Sequence, residues 1–190
     1  MISFDEATQI VDDIVYFLQI FNTKNNFCIN YEICGSYRRE QKENIKDIDV
    51  VIDINYEKIN AFMFFFSFEK LLKENGFENI HRFKTFLKCN YSNIPVEFYF
   101  AENEEQFEVL KLIKTGSFAF CKDLAERARH DGWMLKFADG LYGIYGSVQV
   151  WDKETGMPDY VMNPLRRKWK EKDIIETLYG KYIDPRERNV

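Results

Sequence analysis

The chain has 190 residues, 46% of them hydrophobic and 17% aromatic, with a formal net charge of -5. That composition supplies the core of one domain, or of one domain with a small appendage, and no apolar run reaches the length of a membrane span. The acidic balance excludes tight non-specific binding to nucleic acid unless the cations are sorted onto one face.

Residues 3–21 carry a helical apolar stripe of Ala7, Ile10, Val11, Ile14, Phe17, Leu18 and Phe21, and Ser3 with Glu6 forms a capping box at its start. No basic segment followed by an apolar run precedes it, so no secretory signal is expected. Residues 27–34 read as a strand that delivers the chain to Gly35-Ser36-Tyr37-Arg38-Arg39, a turn in which Arg38 and Arg39 are expected to point apart. Eight residues after Arg39 comes a second strand, 47–54. Its alternation puts Asp47, Asp49 and Asp53 on one face and Ile48, Val50, Ile52 and Ile54 on the other. Two carboxylates on adjacent same-face positions suit Mg²⁺, a hard cation that shares oxygen ligands with phosphates. A Gly-Ser turn with an arginine upstream suits the phosphate itself. Together they point to phosphoryl or nucleotidyl transfer.

Residues 57–74 read as a helix stopped by Asn75-Gly76, with the cluster Phe62, Phe64, Phe65, Phe66 and Phe68 expected to be largely buried. A hairpin follows, 79–90 and 94–101, turning at Ser92-Asn93. Arg82, Lys84 and Lys88 are expected on one face of its first strand. Glu97 and Tyr99 oppose Val96, Phe98 and Phe100 on its second, which would put Glu97 beside Asp47 and Asp49 as a third carboxylate. Residues 104–114 and 118–131 read as helices joined through Thr115-Gly116-Ser117, a helix N-cap. A hairpin from Trp133 to Gly143 with Asp139-Gly140 at its turn is expected next, then a strand at 144–151 and an irregular stretch from Met157 to Asn163. The densest basic patch is Arg166, Arg167, Lys168 and Lys170, ahead of a last helix at 171–179. Cys28, Cys34, Cys89 and Cys121 show no Cys-x-x-Cys spacing, which argues against zinc and for buried thiols in a reducing cytoplasm.

The run Gly35-Ser36-Tyr37-Arg38-Arg39 with Asp47-Ile48-Asp49-Val50 resembles the nucleotidyltransferase signature of family X DNA polymerases. Ile94-Pro95-Val96-Glu97-Phe98-Tyr99 resembles the segment that carries the family's third acidic residue, with glutamate where aspartate is usual. Thr115-Gly116-Ser117 and the tail from Tyr182 to Asn189 resemble family segments in the same order, without the family's two aromatics before the Thr-Gly-Ser. The layout is similar to minimal viral and phage members that lack the lyase domain. The resemblance implies an α+β fold: a palm with a mixed β-sheet over residues 1–103 and a C-terminal α+β subdomain over 104–190. It implies a template-directed DNA polymerase that fills short gaps in DNA repair, working as a cytoplasmic monomer. Asp47, Asp49 and Glu97 would be the catalytic residues and hold two Mg²⁺ ions, with Mn²⁺ a possible substitute. Gly35, Ser36, Arg39, Thr115, Gly116, Ser117 and Phe120 would bind the nucleoside triphosphate, with Gly35 and Gly116 admitting close backbone approach. Arg82, Lys84, Lys88, Arg166, Arg167 and Lys168 would hold DNA. Two alternatives stand beside this: a nucleotidyltransferase whose acceptor is a protein, an RNA or a small molecule, and a nucleotide- or DNA-binding protein weakened in catalysis by Glu97.

Overall fold

The computed structural model describes residues 1–25, 29–54, 60–131, 133–135, 144–151, 158–164 and 169–189. The chain runs α1 (Phe4–Asn25), β1 (Asn30–Ile33), α2 (Gly35–Arg38), β2 (Ile48–Asp53), α3 (Ala61–Glu74), β3 (Glu78–Arg82), β4 (Phe86–Tyr91) and β5 (Ile94–Ala101). It continues with α4 (Glu104–Thr115), α5 (Phe118–His130), β6 (Trp133–Leu135), β7 (Ile144–Trp151), β8 (Pro158–Pro164) and α6 (Glu171–Tyr179), ending in a 3₁₀ turn at Pro185–Glu187. The fold is α+β. One mixed sheet has the order β1-β2-β5-β4-β3, with β2 and β5 parallel and the other pairs antiparallel. A second, antiparallel sheet has the order β6-β7-β8. No helix among the described residues is long and apolar enough to cross a membrane.

The first helix starts where the capping box puts it. Ser3 N–H and hydroxyl both donate to Glu6, and the Ser3 hydroxyl accepts from Glu6 N–H. Its stripe is buried along its whole length. It packs with α3 on one face of the five-stranded sheet, over Ile48, Val50, Ile52, Leu87, Val96, Phe98 and Phe100. The phenylalanine cluster of α3 divides by helical period. Phe64 and Phe68 are buried, whereas Phe62 and Phe66 are exposed and stack on each other, centroids 6.4 Å apart. Residues four apart share a face, so five phenylalanines in seven positions cannot all face one core.

On the opposite face α4 covers only part of the sheet. Leu110 packs there with Cys34, Val51, Tyr99 and Ala101. Val109 and Leu112 of the same helix belong to a second core with α5, α6 and Trp169. The boundary expected at 103/104 thus falls at the N-cap of a helix that serves both cores; Asn103 caps it by accepting from Gln106 N–H. The start of β2 and the middle of β5, which carry Asp49 and Glu97, lie where α4 leaves this face uncovered, and that gap is the floor of a cleft.

Two stretches differ from the sequence reading. The strand expected over 79–90 is two, β3 and β4, joined at Phe83–Thr85, where Phe83 N–H donates to Phe86 O at 2.8 Å. The stretch from Met157, expected to be irregular, contains β8, paired along its length with β7. It lies at the sheet edge, where proline costs no ladder bond to a second neighbour, so Pro158 and Pro164 are tolerated. The expected turn at Asp139-Gly140 lies outside the described residues. The turn at Ser92-Asn93 forms as expected, with positive φ at both residues (49° and 63°).

Candidate active site

Register brings three charged side chains into one row. Asp49 on β2 pairs with Glu97 on β5, and Glu97 pairs with Lys88 on β4. Cross-strand partners share a face, so all three project from the side that α4 leaves open. Asp47, one residue ahead of β2, lies two positions before Asp49 and joins Asp49 and Glu97 in lining a cleft of about 480 Å³. Ser36, Arg39, Lys46, Tyr99, Lys114 and Phe118 are among the other residues that line it, with Gly35, Asn44, Gly116 and Ser117. A larger depression of about 780 Å³ lies among Asn30, Glu32, Asp53, Glu102, Glu104 and Glu108, and no lysine or arginine among the described residues lines it. The smaller cleft is the one that combines carboxylates with cations.

The turn expected at Gly35 is a short helix, α2. Gly35 adopts a φ of +68°, a region that favours glycine, and a Cβ there would collide with the Asp49 carboxylate. The absent side chain is therefore what lets Asp49 stand under α2. Cys34 N–H donates to Asp49 O at 2.7 Å and ties the two segments together.

Electrostatics within the cleft are uneven. Burial, then the like charge of Asp47, pushes the Asp49 carboxyl up to about 7, with Lys114 pulling the other way. Glu97 behaves oppositely. Burial would raise it, but its bonds from Lys88 and from the Tyr99 hydroxyl hold it below the usual carboxylate range. Lys88 Nζ donates to Glu97 Oε1 at 2.8 Å, and the Tyr99 hydroxyl donates to Glu97 Oε2. Lys114 Nζ sits over the Tyr99 ring, 3.6 Å from its centroid. Tyr99 in turn stacks with Phe86, and Phe86 with Phe83, making an aromatic ladder out to the exposed Phe83.

Arg38 and Arg39 separate, and it is Arg38 that is the structural one. Its guanidinium donates to Thr115 Oγ1 and to both oxygens of Glu171, at 2.8–2.9 Å, and its Nε lies 3.2 Å from Glu32. Glu171 also accepts from the fully buried Arg188 at 2.5 Å. Burial works against the charge on both Arg38 and Glu171, but their mutual bonds more than offset it. Arg39 reaches the cleft instead, while donating to Thr115 O at 2.6 Å and to Asn189 Oδ1 at 2.7 Å.

Several expected site residues lie elsewhere or serve the fold. Phe120 is 3% exposed and stacks on Tyr179 in the C-terminal core, whereas Phe118, at 87% exposed, faces the cleft. Helical spacing explains this: the first residue of α5 projects outward and the third turns in. Thr115 is buried as a partner of Arg38, and Ser117 caps α5 by accepting from Phe120 N–H. A Cβ on Gly116 would strike Phe120 and Cys121, so this glycine admits protein as well as lining the cleft. Arg82 pairs with Leu87, on the helix-covered face, lies 3.6 Å from Glu69 and stands over the Phe65 ring. The turn at 83–85 breaks the alternation that would have aligned it with Lys88. Lys84 is exposed in that turn. Arg166, Arg167 and Lys168 lie outside the described residues. Lys46, Lys114 and Phe118 are additions; the signal for Phe118 was its place directly after the N-cap Ser117.

The donor chemistry of Asp47, Asp49 and Glu97 fits a hard divalent cation: all are carboxylates, and the pressure on Asp49 is of the kind a cation relieves. As the side chains lie, no three such groups among the described residues are gathered closely enough to hold an ion, and Glu97 is engaged by Lys88 and Tyr99. The chain matches no protein-family model and no curated protein.

Proposed function

We propose that this protein is a Mg²⁺-dependent nucleotidyltransferase that adds deoxynucleotides to a primer 3′-hydroxyl on a DNA template, of the short-gap-filling, family X kind. The observation that carries the reading is the alignment of Asp49 with Glu97 across the parallel pair β2–β5, with Asp47 alongside, in a cleft that also holds Ser36, Arg39 and Lys114. Asp47 and Asp49 would hold the cation, joined by Glu97. When bound, the ion would neutralise phosphate charge and acidify the attacking hydroxyl. The Ser36 hydroxyl and the Arg39 guanidinium face the same cleft from α2 and its C-cap and would orient the triphosphate. Lys114, opposite Asp49, would take charge on the departing pyrophosphate. Phe118 would pack against the sugar or base, in place of the buried Phe120. Mn²⁺ would substitute for Mg²⁺, having the same preference for oxygen.

Extension of a gapped primer–template by the full-length protein, with and without Asp49→Asn, tests the reading. Incorporation directed by the template and lost in the variant supports it; none by the wild-type protein overturns it. One observation favours a non-DNA acceptor: Arg82 is turned onto α3, which removes a cation from the cleft side. Transfer to a protein, RNA or small-molecule hydroxyl without DNA extension would establish that second reading.

A further inference from the structure

Glu97 is the middle member of the row Asp49–Glu97–Lys88, and it has neighbours of opposite sign on its two sides. On one side stands the carboxylate of Asp49. On the other stands the ammonium of Lys88, donating at 2.8 Å. Both carboxylate oxygens are engaged, Oε1 by Lys88 and Oε2 by Tyr99. A cation shared between Asp49 and Glu97 would thus have to take a carboxylate that already serves another cation.

We propose that Lys88 is a built-in counter-cation that competes with a divalent metal ion for Glu97, and that the ion completes its site by displacing it. The inference rests on the reading of Asp47 and Asp49 as cation ligands. Three features favour competition over a fixed structural pair. The Lys88 side chain is 46% exposed, so its ammonium can return to water at little cost. Its stem is flexible and its charge compact, unlike the planar fork of an arginine locked in place. The other ligand of Glu97, Tyr99, is neutral and held between Phe86 and Lys114, so it can keep Glu97 in position as Lys88 leaves. In contrast, Glu171 is held by two guanidiniums, Arg38 and the fully buried Arg188, and no exchange is implied there.

The arrangement makes two stages of cation binding. An ion held by Asp47 and Asp49 meets no displacement. An ion that requires Glu97 meets the repulsion of Lys88 until the ammonium swings away. Removing Lys88 should therefore tighten the weaker of the two events, by about tenfold for loss of one unit charge near the surface.

The test uses the full-length chain without DNA or nucleotide and reads Mn²⁺ binding by electron paramagnetic resonance of the free ion and by calorimetry. The variants are Lys88→Met, Lys88→Gln, Lys88→Arg, Glu97→Gln, the double change Lys88→Met with Glu97→Gln, and Asp49→Asn, each checked by melting. We expect Lys88→Met and Lys88→Gln to bind the weaker Mn²⁺ about tenfold more tightly, Lys88→Arg to bind it no more tightly than wild type, and the gain to vanish when Glu97 is also changed. Unchanged affinity in both neutral Lys88 variants, with Asp49→Asn still losing Mn²⁺, overturns the role of Lys88 and leaves the cation site standing. A gain that persists without Glu97 likewise overturns it, since the effect is then one of general charge. Equal Mn²⁺ binding by wild type and Asp49→Asn, or none by any variant, overturns the cation site and the inference together.

Discussion

The cleft and the junction of Arg38, Glu171 and Arg188 are both built from charged side chains, and they treat charge in opposite ways. At the junction one carboxylate is gripped by two guanidiniums, and Thr115 and Ile183 O take further donors. Burial there is tolerable because every charge meets its opposite. In the cleft Asp49 is buried beside the like charge of Asp47, and it holds its proton up to about pH 7. Satisfied charge builds a joint between sheet and C-terminal helices. Unsatisfied charge leaves a place for something else to bind, and so the contrast separates structure from function even between adjacent residues such as Arg38 and Arg39.

The sharpest way to break this contrast is to neutralise one member of each cluster. Asp49→Asn should reduce nucleotide transfer at least a thousand-fold, on the order of a lost metal site, without lowering the melting temperature at pH 8. Lost activity explained by unfolding would remove the distinction. Arg38→Ala should do the reverse. It leaves Glu171 partly unpaired in a buried setting and should cost about 3–5 kcal/mol of stability, read by denaturant unfolding. A loss under 1 kcal/mol would show that the junction is no more than a surface contact.

Phe118 and Phe120 repeat the contrast with aromatic side chains. Phe120→Ala should cost about 3–5 kcal/mol because it empties a core site. Phe118→Ala should change stability by less than about 0.5 kcal/mol and raise the apparent KM for nucleotide instead.

A pH series sharpens the assignment of Asp49. Its carboxyl favours the fold while protonated, because its pKa is raised in the folded state. That contribution is complete below the ordinary carboxylate range, near pH 4, and is lost as pH rises through about 7. In chelator, wild type and Asp49→Asn should thus melt alike near pH 4 and separate above pH 7, the asparagine variant higher. The gap should be a few kcal/mol at most, less for as much of Asp49 as water still reaches. Parallel curves from pH 4 to 8 would place the ionisation elsewhere.

The smallest expected effect is that of Arg82→Ala. With its side chain on the α3 face, it should leave the salt dependence of DNA binding unchanged, whereas Lys84→Ala should make the slope shallower by about one unit. A one-unit change for Arg82→Ala would return it to the DNA surface.

Local periodicity carried much of this molecule in plain view. The stripe of α1 is buried residue for residue, and the alternation of β2 and β5 assigns Asp49 and Glu97 to one face and Val50 and Phe98 to the other. Glycine, serine and asparagine marked the ends: Ser3, Gly76 and Ser92-Asn93 act as their chemistry requires. These are decisions made within a few residues, where backbone geometry alone relates one side chain to the next. Which of two neighbouring arginines is buried was decided by Glu171, 133 residues away from Arg38 in the chain. Arg82 was turned by its pairing with Leu87 and the ring of Phe65, ahead of a turn with no glycine or proline to announce it. The partnership of Lys88 with Glu97 depended on strand register across a hairpin, and the depth of Asp49 on α2 folding over it through Gly35. Such choices rest on contacts between distant segments, which no local pattern encodes, and so tertiary structure alone decided which charges are satisfied and which are left to bind.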